Sequence, residues 1–289
     1  MINFCKFQGF GNDYLVFAAD DLALIESVEN FAKEICDRHY GVGADGIAIW
    51  ERVEDGDEAD FSALIFNPDG SEAAFSGNGT RCAVATLYYQ NIWTKENLRL
   101  LTKSGIKNYR LFKTESTGHY WFEAELGNPK FDSESIPMFF AQTRNSVVDY
   151  PLEIEGESVH ITSVNVGNPV ACIFVDDFEA LDWRKIGAAI ENRVTFPERT
   201  NVVFVRVLDR SNIEVRIWER GAGETLASGT CATGAAVATA FTEKTERKVT
   251  VLCPGGEMQV EWRESDDEML LTGRSDFVFC GEWPDGTSK

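Results

Sequence analysis

The sequence predicts an α/β fold of the α+β type: two copies of one domain, each a β-sheet wrapped around a central helix. Three observations lead there. The stretch Gly70-Ser71-Glu72-Ala73-Ala74-Phe75-Ser76-Gly77-Asn78-Gly79-Thr80 returns half a chain later as Gly223-Glu224-Thr225-Leu226-Ala227-Ser228-Gly229-Thr230, with Glu72 on Glu224, Ser76 on Ser228 and Gly77 on Gly229. Gly11-Asn12 recurs as Gly167-Asn168, and Leu100 to Gly105 is echoed by Leu252 to Gly256 in the same order. The segments that follow the two serines, Cys82 to Tyr89 and Ala232 to Phe241, read as helices, and the second is small and apolar on nearly every side, which marks it as buried. Gly-Asn and Gly-Gly are common turn dipeptides, so one echo means little. Three in one order point to duplication.

In chain order, Met1 to Phe17 reads as strand, tight turn and strand, the turn carried by Gly9, Gly11, Asn12 and Asp13. Residues 27 to 38 place Val28, Phe31, Ala32, Ile35 and Cys36 at helical spacing. Gly41 to Gly46 forms a loop rich in glycine, which permits close backbone approach. Phe61 to Phe66 is the strand entering the first repeated motif and Ile213 to Trp218 its counterpart in the second. Further strands are expected at 120–126, 171–175, 202–207, 258–262 and 269–272. Gly127-Asn128-Pro129 is the best boundary signal, giving domains 1–126 and 127–275, with 276–289 returning to the first.

Composition narrows the function. With 289 residues, 44% of them hydrophobic, and no run of 18 apolar residues, the chain suits two soluble domains with a core each. The formal net charge of −20 disfavours nucleic acid and anionic membrane surfaces as partners. Acid-rich runs such as Asp55 to Asp60 and Glu264 to Glu268 read as solvated loops. The cysteines at 5, 36, 82, 172, 231, 253 and 280 form no close pair and are odd in number, so reduced core thiols are expected. His39, His119 and His160 lack zinc-site spacing, and no metal is expected. The first residues lack a basic segment followed by an apolar one, so a cytoplasmic protein is expected.

A helix N-terminus carries unpaired backbone N–H groups that bind anions. Two such ends facing each other grip one carboxylate from both sides, and the residues at 76 and 228 then stand on opposite faces of the bound carbon. Arg81 and Arg220, beside the motifs, supply local positive potential in an acidic chain.

Seven segments resemble one family: Gly9-Phe10-Gly11-Asn12-Asp13-Tyr14, Gly41 to Gly46, Phe66-Asn67-Pro68-Asp69-Gly70-Ser71-Glu72, Gly77-Asn78-Gly79-Thr80-Arg81-Cys82, Gly167-Asn168-Pro169, Phe196 to Asn201 and Trp218 to Thr225 are similar to diaminopimelate epimerase. The resemblance runs in family order over nearly the whole chain. It implies two pseudo-symmetric domains, each a mainly antiparallel sheet around a central helix, with substrate in the interdomain cleft. It implies conversion of L,L-diaminopimelate to meso-diaminopimelate, a lysine and peptidoglycan precursor, or of a closely similar amino acid, without pyridoxal phosphate or any other cofactor. A homodimer is a further implication.

In the family, one cysteine thiolate removes the Cα proton and a second cysteine delivers one to the other face. The matching positions here hold Ser76 and Ser228. A serine hydroxyl is weaker as an acid than cysteine by on the order of five units, which adds roughly 7 kcal/mol, or about five decades in rate, to forming the base. The histidine that follows Gly-Asn-Pro in the family is Val170, whereas Glu219, placed by the family near the second catalytic residue, is kept. Three readings follow: serines engineered in place of catalytic cysteines, leaving a disabled enzyme; a natural divergent isomerase in which Glu219, Glu72 or Glu224 carries protons; or a non-catalytic paralogue that only binds an amino acid. Plain roles stand beside these. Ser76 and Ser228 are acceptable helix caps, Cys82 and Cys231 packing residues, Glu72 and Glu224 backbone partners, and Glu219-Arg220 a strand-end ion pair.

Recognition is better preserved than catalysis. By the resemblance, Asn12, Asn67, Asn168, Asn201 and Arg220, with Glu219, hold the distal amino-acid end of the substrate, the guanidinium taking its carboxylate. The near carboxylate rests on the N–H groups of Gly77, Asn78, Gly229 and Thr230, and Trp218 helps exclude water.

Overall fold

The computed structural model describes residues 1–54, 58–73, 75–154 and 156–284. Asp55 to Asp57 of the first acidic run, Ala74 of the first motif and 285–289 of the expected returning segment lie outside the described residues. The first half runs β1 (Ile2–Gly9), β2 (Asn12–Ala18), α1 (Val28–Cys36), β3 (Gly46–Arg52), β4 (Phe61–Phe66), β5 (Glu72–Ala73), α2 (Gly77–Tyr89), β6 (Asn97–Thr102), β7 (Gly105–Ser116) and β8 (His119–Glu125). The second runs β9 (Val147–Ile154), β10 (Glu157–Asn165), β11 (Pro169–Phe174), α3 (Trp183–Glu191), β12 (Asn201–Val207), β13 (Asn212–Glu219), β14 (Gly223–Thr225), α4 (Gly229–Phe241), β15 (Lys248–Cys253), β16 (Gly256–Trp262) and β17 (Met269–Trp283).

The order β1-β2-α1-β3-β4-β5-α2-β6-β7-β8 is repeated as β10-β11-α3-β12-β13-β14-α4-β15-β16-β17. Pairing repeats as well. β1 with β2 and β10 with β11 are antiparallel, β2 with β3 and β11 with β12 parallel, β3 with β4 and β12 with β13 antiparallel, and β4 with β6 and β13 with β15 parallel. The duplication inferred from three short echoes thus covers two ten-element runs.

The chain divides into two compact units, one of Met1–Ala124 with the residues from Gly273 onward and one of Glu125–Thr272. In the first, β17 pairs with β1 and with β8, so the strands close into a ring around α2. From Asn78 to Tyr88 every residue of α2 is buried, including Arg81, Leu87 and Tyr88. A second layer forms outside, where Leu15, Phe17 and Ile47 meet Phe31 and Ile35 of α1. Ser27 caps α1 by accepting from the Asn30 N–H.

In the second unit α4 is buried from Cys231 to Thr239, and α3 lies on the outer sheet face, burying Trp183, Ile186 and Ile190 against Phe204 and Val202. Gly234 of α4 is needed for close approach: a Cβ there would stand 2.8 Å from the side chain of Val170. No helix among the described residues is long and apolar enough to cross a membrane.

Two expectations change. Cys5 and Cys280 form a disulfide, facing each other in the antiparallel β1/β17 register with Cα atoms 4.0 Å apart. They are 275 residues apart in sequence, so spacing alone gives no sign of the pair. The free cysteines among the described residues are 36, 82, 172, 231 and 253. Trp218 does not shield the region of Glu219: successive strand residues face opposite ways, and its ring lies over Gly187 of α3 while Nε1 donates to Glu191 at 2.8 Å.

Candidate active site

Each unit carries a cluster of candidate residues at the start of its buried helix. In the first unit Ser76 has extended backbone (φ −136°, ψ 117°) and its Oγ accepts from the Gly79 N–H at 3.1 Å, a helix cap. The same Oγ lies 2.9 Å from the hydroxyl of Tyr14 in β2. The N–H groups of Gly77 and Asn78 fall in the first turn, where a helix offers no carbonyl to meet them.

The Asn78 side chain donates to Asn12 Oδ1 at 3.1 Å, and Asn12 donates to Asp45 at 2.8 Å. A tight turn places Asn12: Phe10 and Gly11 both have positive φ, 58° and 85°, the pairing that a two-residue hairpin with right-handed strand twist demands. Behind Asn78, the Arg81 guanidinium is fully buried and bonded to Asn78 Oδ1 and to the Arg274 carbonyl. Burial pushes Asp13 up, but Arg38 and Lys6 outweigh it and hold the carboxyl down at about 2. Asp13 and Asp45 with Arg38 pin the turn from outside. Asn67 stands apart, its side chain donating to Ser71 within its own turn.

The second unit repeats the backbone and changes the chemistry. Ser228 is again extended (φ −144°, ψ 123°), yet its side chain makes no cap bond. It donates instead to Glu219 Oε1 at 3.0 Å, while Thr225 donates to Oε2 at 3.0 Å. Burial pushes the Glu219 carboxyl above its ordinary value, and the bonds from Thr225 and Ser228 only partly offset this. The half-buried carboxylate of Glu219 thus accepts from the residue that precedes the helix.

The Asn12 to Asn78 contact has its counterpart in Asn168, which donates to Thr230 Oγ1 at 3.2 Å. Asn168 Oδ1 is buried and takes no hydrogen bond among the described residues. Asn201 accepts from the Arg220 N–H at 2.9 Å and donates to the Pro169 carbonyl at 3.0 Å, which ties Arg220, just past β13, to the start of β12. The Arg220 guanidinium is exposed and donates to the Glu198 carbonyl at 2.9 Å rather than to Glu219, so the two are not an ion pair with each other.

Other candidates have ordinary partners. Glu72 is ion-paired with Lys103 at 2.8 Å and Glu224 with Arg184 at 2.6 Å, both in exposed positions. Neither bonds backbone at a helix start. Cys82 and Cys231 are wholly buried; burial raises the first thiol to about 12 and the second well above its ordinary value, which suits packing and not proton transfer. Val170, aligned with Tyr14 by the two Gly-Asn turns, is fully buried against Gly234.

This duplicated fold, with a serine at the start of each buried helix, is shared by proteins of known structure. Among solved structures, the hydroxyproline epimerase of Agrobacterium vitis with bound trans-4-hydroxy-L-proline matches with TM-score 0.61 at 13% identity, covering 97% of this chain and 90% of that one. A phenazine biosynthesis protein of the PhzF family from Bacillus anthracis matches with TM-score 0.69 at 14% identity, covering 98% and 99%. The family itself is set by sequence. The diaminopimelate epimerase family model matches residues 4–131 and 162–278. The diaminopimelate epimerase of Moorella thermoacetica is 38% identical over 283 residues, 98% of this chain and 99% of its own, and that of Caldanaerobacter subterraneus 39% identical over 287 residues, 97% and 99%. The chain belongs to the diaminopimelate epimerase family.

Proposed function

We propose that this family member is an isomerase that converts L,L-diaminopimelate to the meso form in lysine and peptidoglycan precursor synthesis, without a cofactor, by proton transfer at both faces of Cα. Ser228 with Glu219 serves one face and Ser76 the other. The near carboxylate rests on the N–H groups of Gly77, Asn78, Gly229 and Thr230, and the distal amino-acid end on Asn12, Asn67, Asn168, Asn201, Glu219 and Arg220. The unsatisfied Asn168 oxygen is an acceptor suited to a ligand ammonium group. Two epimerase-like domains, 1–126 with 276–289 and 127–275, a cytoplasmic location and a homodimer complete the proposal.

The observation that carries it is the bond from Ser228 to the half-buried Glu219. Serine alone is a poor base; serine that passes its proton to a carboxylate of raised pKa never has to become a free alkoxide. Glu72 and Glu224 are exposed and ion-paired, whereas Glu219 is half-buried and bonded to a helix-start serine. Incubation with L,L-diaminopimelate in D₂O tests the proposal, with deuterium at Cα and the meso isomer as expected products. One observation favours the binding-only reading, namely that Ser76 acts as a cap toward Gly79. That reading requires saturable binding of diaminopimelate with no exchange at Cα.

A further inference from the structure

The two serines differ in their hydrogen bonds. Ser228 Oγ gives its proton to Glu219. Ser76 Oγ accepts from the Gly79 N–H and meets the Tyr14 hydroxyl. A phenol is the stronger acid of a phenol–alcohol pair, by about three pKa units, and so the better donor. With Tyr14 donating, both lone pairs of Ser76 Oγ are filled and its own proton is left to point elsewhere.

We propose that Tyr14 is the positioning residue of the Ser76 face and the store of its proton, which makes the site directional: Glu219 receives through Ser228 and Tyr14 supplies through Ser76. This rests on the reading of Ser76 and Ser228 as the groups flanking Cα. On one face the Cα–H bond breaks, its proton goes to Ser228 Oγ, and the Ser228 proton goes to Glu219. On the other, the Ser76 O–H breaks as the new Cα–H forms, and the Tyr14 O–H breaks as the Ser76 O–H is restored. The charge ends on a phenolate instead of an alkoxide. Solvent water then takes the proton from Glu219 and returns one to Tyr14, and the reverse reaction runs the same transfers backward.

The fold holds the phenol ready for this. Tyr14 is 5% exposed and paired in register with Gly46 across β2/β3. A methyl at Gly46 would stand 2.8 Å from the ring and one at Gly79 2.9 Å, so the ring lies in a slot formed by two glycines. The corresponding residue of the second unit, Val170, brings no hydroxyl, and there Glu219 approaches the serine from β13.

Tyr14→Phe keeps the ring and removes the proton. Its epimerisation kcat is expected to fall about 100-fold or more with KM little changed. In D₂O it is expected to keep Cα exchange without inversion for the configuration whose hydrogen faces Ser228, and to lose exchange for the other. An unchanged kcat, or equal loss of exchange from both configurations, overturns the relay. 3,5-Difluorotyrosine at 14, a more acidic phenol of nearly the same shape, should move the alkaline limb of the kcat profile to lower pH; an unmoved limb also overturns it. A wild-type protein that exchanges neither configuration overturns the epimerase reading itself, whereas wild-type exchange of both that persists in Tyr14→Phe overturns the relay alone.

Discussion

Ser76 and Ser228 share a backbone conformation and part company at the side chain, so the same substitution should have different effects. Ser76→Ala removes the cap to Gly79 and should lower unfolding free energy by about 1 kcal/mol, read by urea denaturation. Glu219→Gln should lower kcat by about 100-fold or more while the protein stays folded. The sign of its pH dependence follows from the raised carboxyl. Its contribution to stability is complete below the ordinary value of 4.5 and fades as pH rises through the folded value, so the variant should gain on wild type above that pH. Activity needs the ionised form, which puts the acid limb of kcat above 4.5. Asp13 has the opposite sign. Held at about 2, it stabilises fully above 3.8 and loses its effect as pH falls toward 2, and Asp13→Asn, which strands the buried Lys6, should cost about 3 kcal/mol. The Ser228–Glu219 and Asn12–Asn78 contacts join residues that stand out in the sequence because they sit in motif text. Tyr14 was not read as a site residue, because a tyrosine between apolar neighbours looks like strand, and only the fold brings β2 against the start of α2.

At the scale of elements, the enclosure of α4 was readable from composition, since a helix that is small and apolar all round has to be enclosed, and duplication extended the reading to α2. The loss of the family histidine finds a packing account here: Val170 fills the space against Gly234. Gly234→Ala should therefore lower stability by about 1 to 3 kcal/mol, despite alanine's better helix propensity. Adding Val170→Ala should recover part of that loss, and denaturation of the two single variants and the double variant measures the coupling. The helix α3 escaped sequence reading although Asp182, which caps it, and Trp183, Ile186 and Ile190 carry the signal. Flanking acids and an interior Gly187 blur its pattern, and its stability comes from the sheet face it covers. Strand limits were also hard to read at β17, which continues from Met269 to Trp283 because β1 supplies a partner for its later residues.

For the whole molecule, duplication was visible in three echoes and is complete in the topology, because strand order and helix starts tolerate sequence drift that individual side chains do not. The Cys5–Cys280 bond was invisible for the converse reason: it depends on one register between the first strand and the last. Reduction, or Cys280→Ser, should lower stability by about 2 to 4 kcal/mol, read as an earlier urea midpoint with a steeper slope, because the unfolded chain without the crosslink exposes more surface. The duplicated frame yields one helix start backed by a phenol and one backed by a carboxylate, and on our account both act on one carbon. A crystal structure with diaminopimelate bound tests this most directly. We expect the hydroxyls of Ser76 and Ser228 within about 3.5 Å of opposite faces of a single Cα; a ligand whose Cα is reached by only one of them would contradict the account.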